Sequence, residues 1–185
     1  NGRRIFQLYV RGGDDFVDDH VKRAVDSGYE AFCITVDTQA YSRRERDMAR
    51  RFVKPWRAAA TGHADQASFN WDKVKRFKDK HALPLILKGI ATAEDARMAV
   101  EHGVECVYVS NHGGRQLDGA LGSLDCLPEV VQAVGHRCEV WMDGGIRSGQ
   151  DVLKALALGA KSTFIGRPFL YGLGAGGEAG VTRSL

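Results

Sequence analysis

The stretch YVSNHGGRQLDG, residues 108–119, places Ser110, His112 and Arg115 where an apolar run ends. Histidine is the side chain whose ordinary pKa lies near neutrality, so His112 is the first candidate for a general base. Arg115 follows three residues later across two glycines. A guanidinium matches a carboxylate through two parallel hydrogen bonds. A base beside a carboxylate clamp implies proton removal from a small organic acid. Asp37, at the end of another apolar run, is placed to pair with the imidazolium once it forms.

A second chemistry lies further along. DGGIRSGQD puts Gly144 and Gly145 at the end of an apolar run, then Arg147, then a helix start. Free backbone N–H groups at a helix N-terminus attract anions, and glycines let a ligand approach the backbone. The next apolar run ends in Gly166 and Arg167, so two successive glycine–arginine exits suggest one phosphate site. Lys88 closes the run LILK; it either pairs with an acid or sits beside developing negative charge, and the residues leave both open.

The elements that must position these groups alternate regularly. Strands are predicted over residues 4–10, 31–38, 85–89, 106–110, 139–145 and 162–168. Helices are expected after Asp14, over 70–81, after Thr92, in LPEVVQAVG and after Ser148, with a tail helix from near Glu178. The strands read as continuous apolar runs, the pattern of a parallel sheet covered on both faces. Gln7, Tyr9, Thr35, Asp37, Lys88, Ser110, His112, Asp143 and Arg167 all fall at or just past strand C-termini. An open doubly wound sheet concentrates its site near one switch point, whereas a barrel draws on many strand ends. Polar residues on six strands favour a (β/α)8 TIM barrel. Such a barrel has eight β/α units, so six units predict an incomplete one lacking the first two, with residues 1–185 forming a single partial barrel domain.

Composition narrows the class. Hydrophobic residues make up 44 % and charged residues 26 %, an ordinary globular balance, and the net charge of +3 is too small to argue for nucleic acid. The arginines of SRRERDMARRF are interrupted by Glu45 and Asp47, which fits a solvated helix face better than a nucleic-acid patch. Cys33, Cys106, Cys126 and Cys138 show no metal-ligand spacing. Cys33 and Cys106 lie within apolar runs as small hydrophobes, which points to a reducing compartment, expected to be cytoplasmic. No run reaches the ~18–20 apolar residues of a membrane span.

The segments FQLYV, TVDT followed by RRERD, LILKGI, SNHGGRQLDG, DGGIRSGQDVLKALALGA and IGRPFLYGLGAGGEAGV cover nearly the whole chain. Taken together the chain resembles the FMN-dependent 2-hydroxy acid oxidases and dehydrogenases, the family of glycolate oxidase, lactate oxidase and mandelate dehydrogenase. The resemblance implies the barrel, an FMN cofactor, and oxidation of an (S)-2-hydroxy acid to a 2-oxo acid with oxygen or a quinone-type acceptor. It makes His112 the base, supported by Asp37. Arg115 and Arg44 become the pair that holds the substrate carboxylate, and Tyr9 bonds the substrate near its hydroxyl. Gln7, Thr35 and Ser110 fall where the family contacts the flavin ring, and Lys88 where it stabilises reduced flavin. Asp143, Gly144, Gly145, Ile146 and Arg147, with Gly166 and Arg167, match the ribityl and phosphate site. No metal is implied. The small hydroxy acid is the expected partner, a homo-oligomer the expected assembly, and a membrane-peripheral location the alternative if the chain is a dehydrogenase.

Departures from the family pattern frame the rivals. The first two strands are expected to be missing, residues 52–69 look short where relatives form a lid, and the last helix is cut at Leu185. A catalytically incomplete FMN- or phosphate-binding module is therefore one alternative. An IMP dehydrogenase-like barrel is another, but no cysteine sits at a suitable strand exit. A basic nucleic-acid binder resting on residues 43–57 is the third.

Overall fold

The computed structural model describes residues 2–39, 45–52 and 63–185. Six parallel strands form one sheet in chain order: β1 (Ile5–Leu8), β2 (Ala31–Thr35), β3 (Leu85–Ile90), β4 (Cys106–Val109), β5 (Glu139–Met142) and β6 (Ser162–Thr163). Each pairs with the next, Phe32 opposite Leu85, Leu87 opposite Val107 and Val107 opposite Val140. Such parallel neighbours require a crossover, and helices supply it. They are α1 (Asp14–Asp26), α2 (Glu45–Ala49), α3 (His63–Ala67), α4 (Trp71–Lys80), α5 (Ala93–Glu101), α6 (Ser123–Val134), α7 (Gly149–Ala157) and α8 (Arg167–Ser184).

Strand alternation divides the sheet's two faces. Leu8, Phe32, Ile34, Leu85, Leu87, Val107, Val109, Val140 and Met142 point outward into the main core beneath the helices. Cys33, Ile86, Cys106 and Tyr108, packed with Trp141 and Phe164, fill a smaller cluster on the opposite, concave face. The period of two then requires Gln7, Tyr9, Thr35, Lys88 and Asp143 to share that inner face. The result is a partial β/α barrel with its polar residues gathered at the C-terminal rim.

Local chemistry explains the helix starts. Asn70 accepts a hydrogen bond from Lys73 N (3.1 Å), Thr92 from Asp95 N (3.2 Å) and Ser148 from Asp151 N (3.4 Å). Val17, Val21 and Ala24 form the buried stripe of α1. Asp18 of α1 takes both guanidinium ends of Arg76 (3.1 and 2.6 Å), Lys80 Nζ (2.6 Å) and His81 Nε2 (2.8 Å), which clamps α1 to α4. These donors hold its carboxyl well below the usual carboxylate range, Arg76 foremost.

Two expectations need correction. The last strand, expected over 162–168, is two residues long, because the ladder to β5 pairs only Trp141 with Ser162 and Met142 with Thr163. The tail helix begins at Arg167 rather than near Glu178, with Pro168 in its first turn. It breaks at Gly176 and Gly177 and folds back, so that a Cβ on Gly172 would meet Gly180 O at 2.5 Å. The glycines of that segment therefore serve a close helix–helix approach. Elsewhere α2 buries none of its residues, as expected of a solvated face, and all four cysteines are free, with Cys33 and Cys106 buried.

Candidate active site

The histidine loop is fixed from both sides. After β4, Ser110 is buried and its Oγ accepts from His112 N (3.1 Å) and Lys88 Nζ (3.0 Å). Asn111 Nδ2 donates to Leu121 O (3.2 Å), and Asn111 Oδ1 accepts from Gly114 N (3.0 Å). Asn111 N donates to Ser123 Oγ at the start of α6 (3.2 Å). These bonds hold His112 at φ 56°, a left-handed conformation that a residue with a Cβ keeps only when its surroundings impose it.

The imidazole is held by a carboxylate on one side and a phenol on the other. Asp37 Oδ1 and Oδ2 lie 3.0 and 3.3 Å from His112 Nδ1, and Tyr9 Oη lies 3.2 Å from Nε2. The carboxylate assigns the ring proton to Nδ1, which donates to Asp37 and leaves the Nε2 lone pair to accept from Tyr9. Burial, followed by the Asp37 charge, raises the Tyr9 pKa, so the phenol stays protonated as a donor. Asp37 can come this close because the bulge in β3 puts Gly89, at φ 110°, against it; a Cβ there would lie 2.5 Å from Asp37 Cβ.

A second polar cluster lies alongside. Lys88, 7 % exposed, reaches Asp143 Oδ2 at 3.4 Å as well as Ser110. Tyr108 Oη donates to the same Asp143 Oδ2 (3.0 Å), and the Lys88 ammonium lies 5.2 Å from the centre of the Tyr108 ring. Lys88 is thus both paired with an acid and turned toward the rim. Among the described residues, buried Asp143 Oδ1 has no hydrogen-bond partner.

One open cleft of about 1060 Å³ joins these groups, slightly above the ~300–1,000 Å³ typical of small-molecule sites. Gln7, Tyr9, Lys88, His112, Arg115 and Asp143 line it. Gly144, Gly145 and Arg147 after β5, with Gly166 and Arg167 after β6, line it too, so the two glycine–arginine exits share one wall. Three of the expected residues stand behind this wall. Thr35 is buried and accepts from Gln7 Nε2 (2.8 Å), Ser110 carries Lys88 and the histidine loop, and Asp37 carries His112. Ile146 also lines the cleft, while its side chain, 6 % exposed, packs in the main core. Arg44 lies outside the described residues.

The anion corner has two helix ends. The α7 start is capped by its own Asp151, whose Oδ2 takes Arg147 N (3.1 Å) and Ser148 Oγ (3.0 Å). Those bonds hold the Asp151 carboxyl below its ordinary value. The α8 start, after Gly166, has no side-chain cap. It is therefore the better helix end for an anion. Arg167 at that start donates to Gly113 O (2.6 Å), which ties the anion corner to the histidine loop. Gly145 and Gly166 have open space where a Cβ would stand. An anion corner, a buried lysine beside the rim and an orphaned buried carboxylate oxygen fit the phosphate, ring and polyol of FMN.

Sequence reasoning did not single out Tyr108, Gly89, Asn111 or Ser123 for the site. Tyr108 sits within an apolar run, and a lone glycine after a lysine carries no signal of close approach. The cleft wall formed by Phe169, Leu170 and Tyr171 was hidden with the unrecognised start of α8.

A partial β/α barrel with a histidine–carboxylate pair, a buried lysine and an anion corner around one cleft has the makings of a cofactor-dependent oxidoreductase. Residues 1–185 match the FMN-dependent dehydrogenase family throughout, and the chain belongs to that family. It is 44 % identical over 200 residues to the L-lactate oxidase of Nostoc sp., across 96 % of this chain and 55 % of the relative. It is 46 % identical over 199 residues to 2-hydroxyacid oxidase 2 of Rattus norvegicus, across 100 % of this chain and 56 % of the relative. A crystal structure of mandelate oxidase with 3,3-difluoro-2-hydroxy-3-phenylpropionic acid superposes with a TM-score of 0.89 at 46 % identity, covering 100 % of this chain and 55 % of that one. The chain spans about half the length of the curated relatives it matches. Among the described residues no helix is long and apolar enough to cross a membrane.

Proposed function

We propose that the chain carries the reaction centre of an FMN-dependent enzyme that oxidises an (S)-2-hydroxy acid to the 2-oxo acid, with oxygen or a quinone-type acceptor taking the electrons. The observation that carries this reading is His112 held between Asp37 and Tyr9 at the mouth that Arg115 also lines. Such an oxidation removes two electrons and two protons from the CH–OH group. Bound FMN would supply the acceptor for the two electrons and for one of the protons. Arg115, joined by Arg44, would hold the substrate carboxylate and so set the orientation of the Cα hydrogen. The Nε2 lone pair of His112 would take one proton, and Asp37 would steady the cation formed. Tyr9, now bonded to Nε2, would donate to the substrate hydroxyl or its product carbonyl. Lys88 would place positive charge where negative charge accumulates. Residues 1–185 would act as one unit, and assembly into a homo-oligomer belongs to the same proposal.

A second reading rests on the anion corner alone, which needs none of the reacting residues: FMN binding without turnover. One titration separates the two. The chain is loaded with FMN and mixed without oxygen with (S)-lactate, glycolate or (S)-mandelate. Loss of the flavin's visible absorbance supports oxidation, and His112→Ala should slow it by ~10²–10⁴, the scale of a general base. Binding without bleaching leaves the second reading, and wild-type bleaching in His112→Ala rejects the base. Absence of FMN binding rejects both.

A further inference from the structure

Tyr108 lies one layer below the rim, in the inner cluster with Cys33, Ile86 and Cys106. It is 6 % exposed, and it touches both members of the charged pair above it. Its hydroxyl donates to Asp143 Oδ2 at 3.0 Å, and its ring lies 5.2 Å beneath the Lys88 ammonium. Lys88 is shared between Ser110 Oγ at 3.0 Å and Asp143 Oδ2 at 3.4 Å, the longer distance being to the opposite charge. A buried ammonium and carboxylate left to themselves close to contact distance, because their attraction is strong in a low dielectric. Here the phenol shares Asp143 Oδ2 with the lysine, which meets that oxygen only at 3.4 Å, and the ring offers the ammonium a second negative surface.

We propose that Tyr108 is a positioning residue that holds Lys88 and Asp143 apart, so that the ammonium stays available to reduced FMN and Asp143 keeps an acceptor for the cofactor's polyol. The inference rests on the FMN reading above. The orphaned Asp143 Oδ1 is its second support. With Oδ2 saturated by Tyr108 and Lys88, Oδ1 is the acceptor a ligand hydroxyl would satisfy. Burial and the Asp143 charge push the Tyr108 phenol far above its ordinary pKa, so it donates across the whole working range.

The test is Tyr108→Phe, which keeps the ring and deletes only the hydroxyl. FMN affinity of the full chain is measured by titration, with oxidised FMN and again with dithionite-reduced FMN. Removing the phenol lets Lys88 close on Asp143, so reduced FMN should lose about tenfold or more in affinity, the scale of one buried hydrogen bond to a charged group. Oxidised FMN should lose less, and the ratio of the two constants should change. Circular dichroism and urea unfolding check that the variant folds, and Tyr108→Leu, which also removes the ring, should lose more in the reduced state. Unchanged affinities in folded Tyr108→Phe overturn the inference while leaving the FMN reading intact. Equal losses in both states, as a loosened fold would give, also overturn it. A wild-type chain that binds neither form removes the inference together with the reading it rests on.

Discussion

Gly89→Ala would strike the candidate site from behind without touching the cleft. Gly89 sits at φ 110°, where an L-residue is strained, and its added Cβ would stand 2.5 Å from Asp37 Cβ and 2.8 Å from both Asp37 Cγ and Asp37 N. The first contact is about 0.9 Å inside the 3.4 Å at which ordinary van der Waals contact begins. Asp37 must retreat by roughly that amount, which stretches its 3.0 Å bond to His112 Nδ1 beyond hydrogen-bonding range. The backbone strain alone is of order 1–3 kcal/mol, and the overpacked contact adds a similar amount, so a loss of ~2–6 kcal/mol is expected. Urea unfolding at neutral pH measures it. The cause is tested by repeating the substitution in Asp37→Gly, which removes Cβ and Cγ and leaves only the backbone contact. The penalty of Gly89→Ala should shrink there by ~1 kcal/mol or more, the coupling expected of touching residues. Strict additivity of the two substitutions would refute the claim that Gly89 exists to admit Asp37.

The Asp18 clamp carries a pH-dependent share of stability. Its folded pKa is depressed, so that share is fully present above the unfolded value near 3.8 and is lost as pH falls through the acid range below it. Asp18→Asn should therefore cost ~2 kcal/mol at pH 7, and its gap to wild type should narrow only as pH falls below the unfolded value near 3.8; a pH-independent difference contradicts the charge argument. Arg167→Ala removes both a cation from the anion corner and the 2.6 Å bond to Gly113 O. It should weaken FMN binding by about tenfold or more, on the scale of a charge-assisted hydrogen bond, as read by flavin fluorescence; undiminished affinity counts against Arg167 as a phosphate ligand.

The barrel rim was readable in the sequence because parallel strands are buried on both faces. Their apolar runs mark themselves, and a polar residue at the end of each run is conspicuous. Lys88, His112, Asp143 and Arg167 stood out for this reason, and all four line the cleft. Depth was not readable. Thr35 and Ser110 have the same signature as the lining residues, yet both are buried behind them: Thr35 pairs in register with Lys88, whose longer side chain reaches the rim, and Ser110 carries that lysine. Tyr108 was concealed by the opposite effect, an aromatic in an apolar run whose hydroxyl does the polar work. The start of α8 was missed because glycine depresses helix propensity, and only the folded-back packing of Gly172 on Gly180 compensates. Capping of α7 by Asp151 was legible as a pattern, but not its consequence that Arg147 N is already taken.

The order of the sheet bears on how this chain assembles. Every ladder joins neighbours along the chain, so strands can zip progressively. The bond between Tyr9 and His112 is different in kind, joining positions 103 residues apart. The scaffold can thus mature piecemeal during synthesis, while the reactive mouth exists only after its far ends have met. Cofactor uptake would then clock the final act of folding, later than any signal from helix or strand.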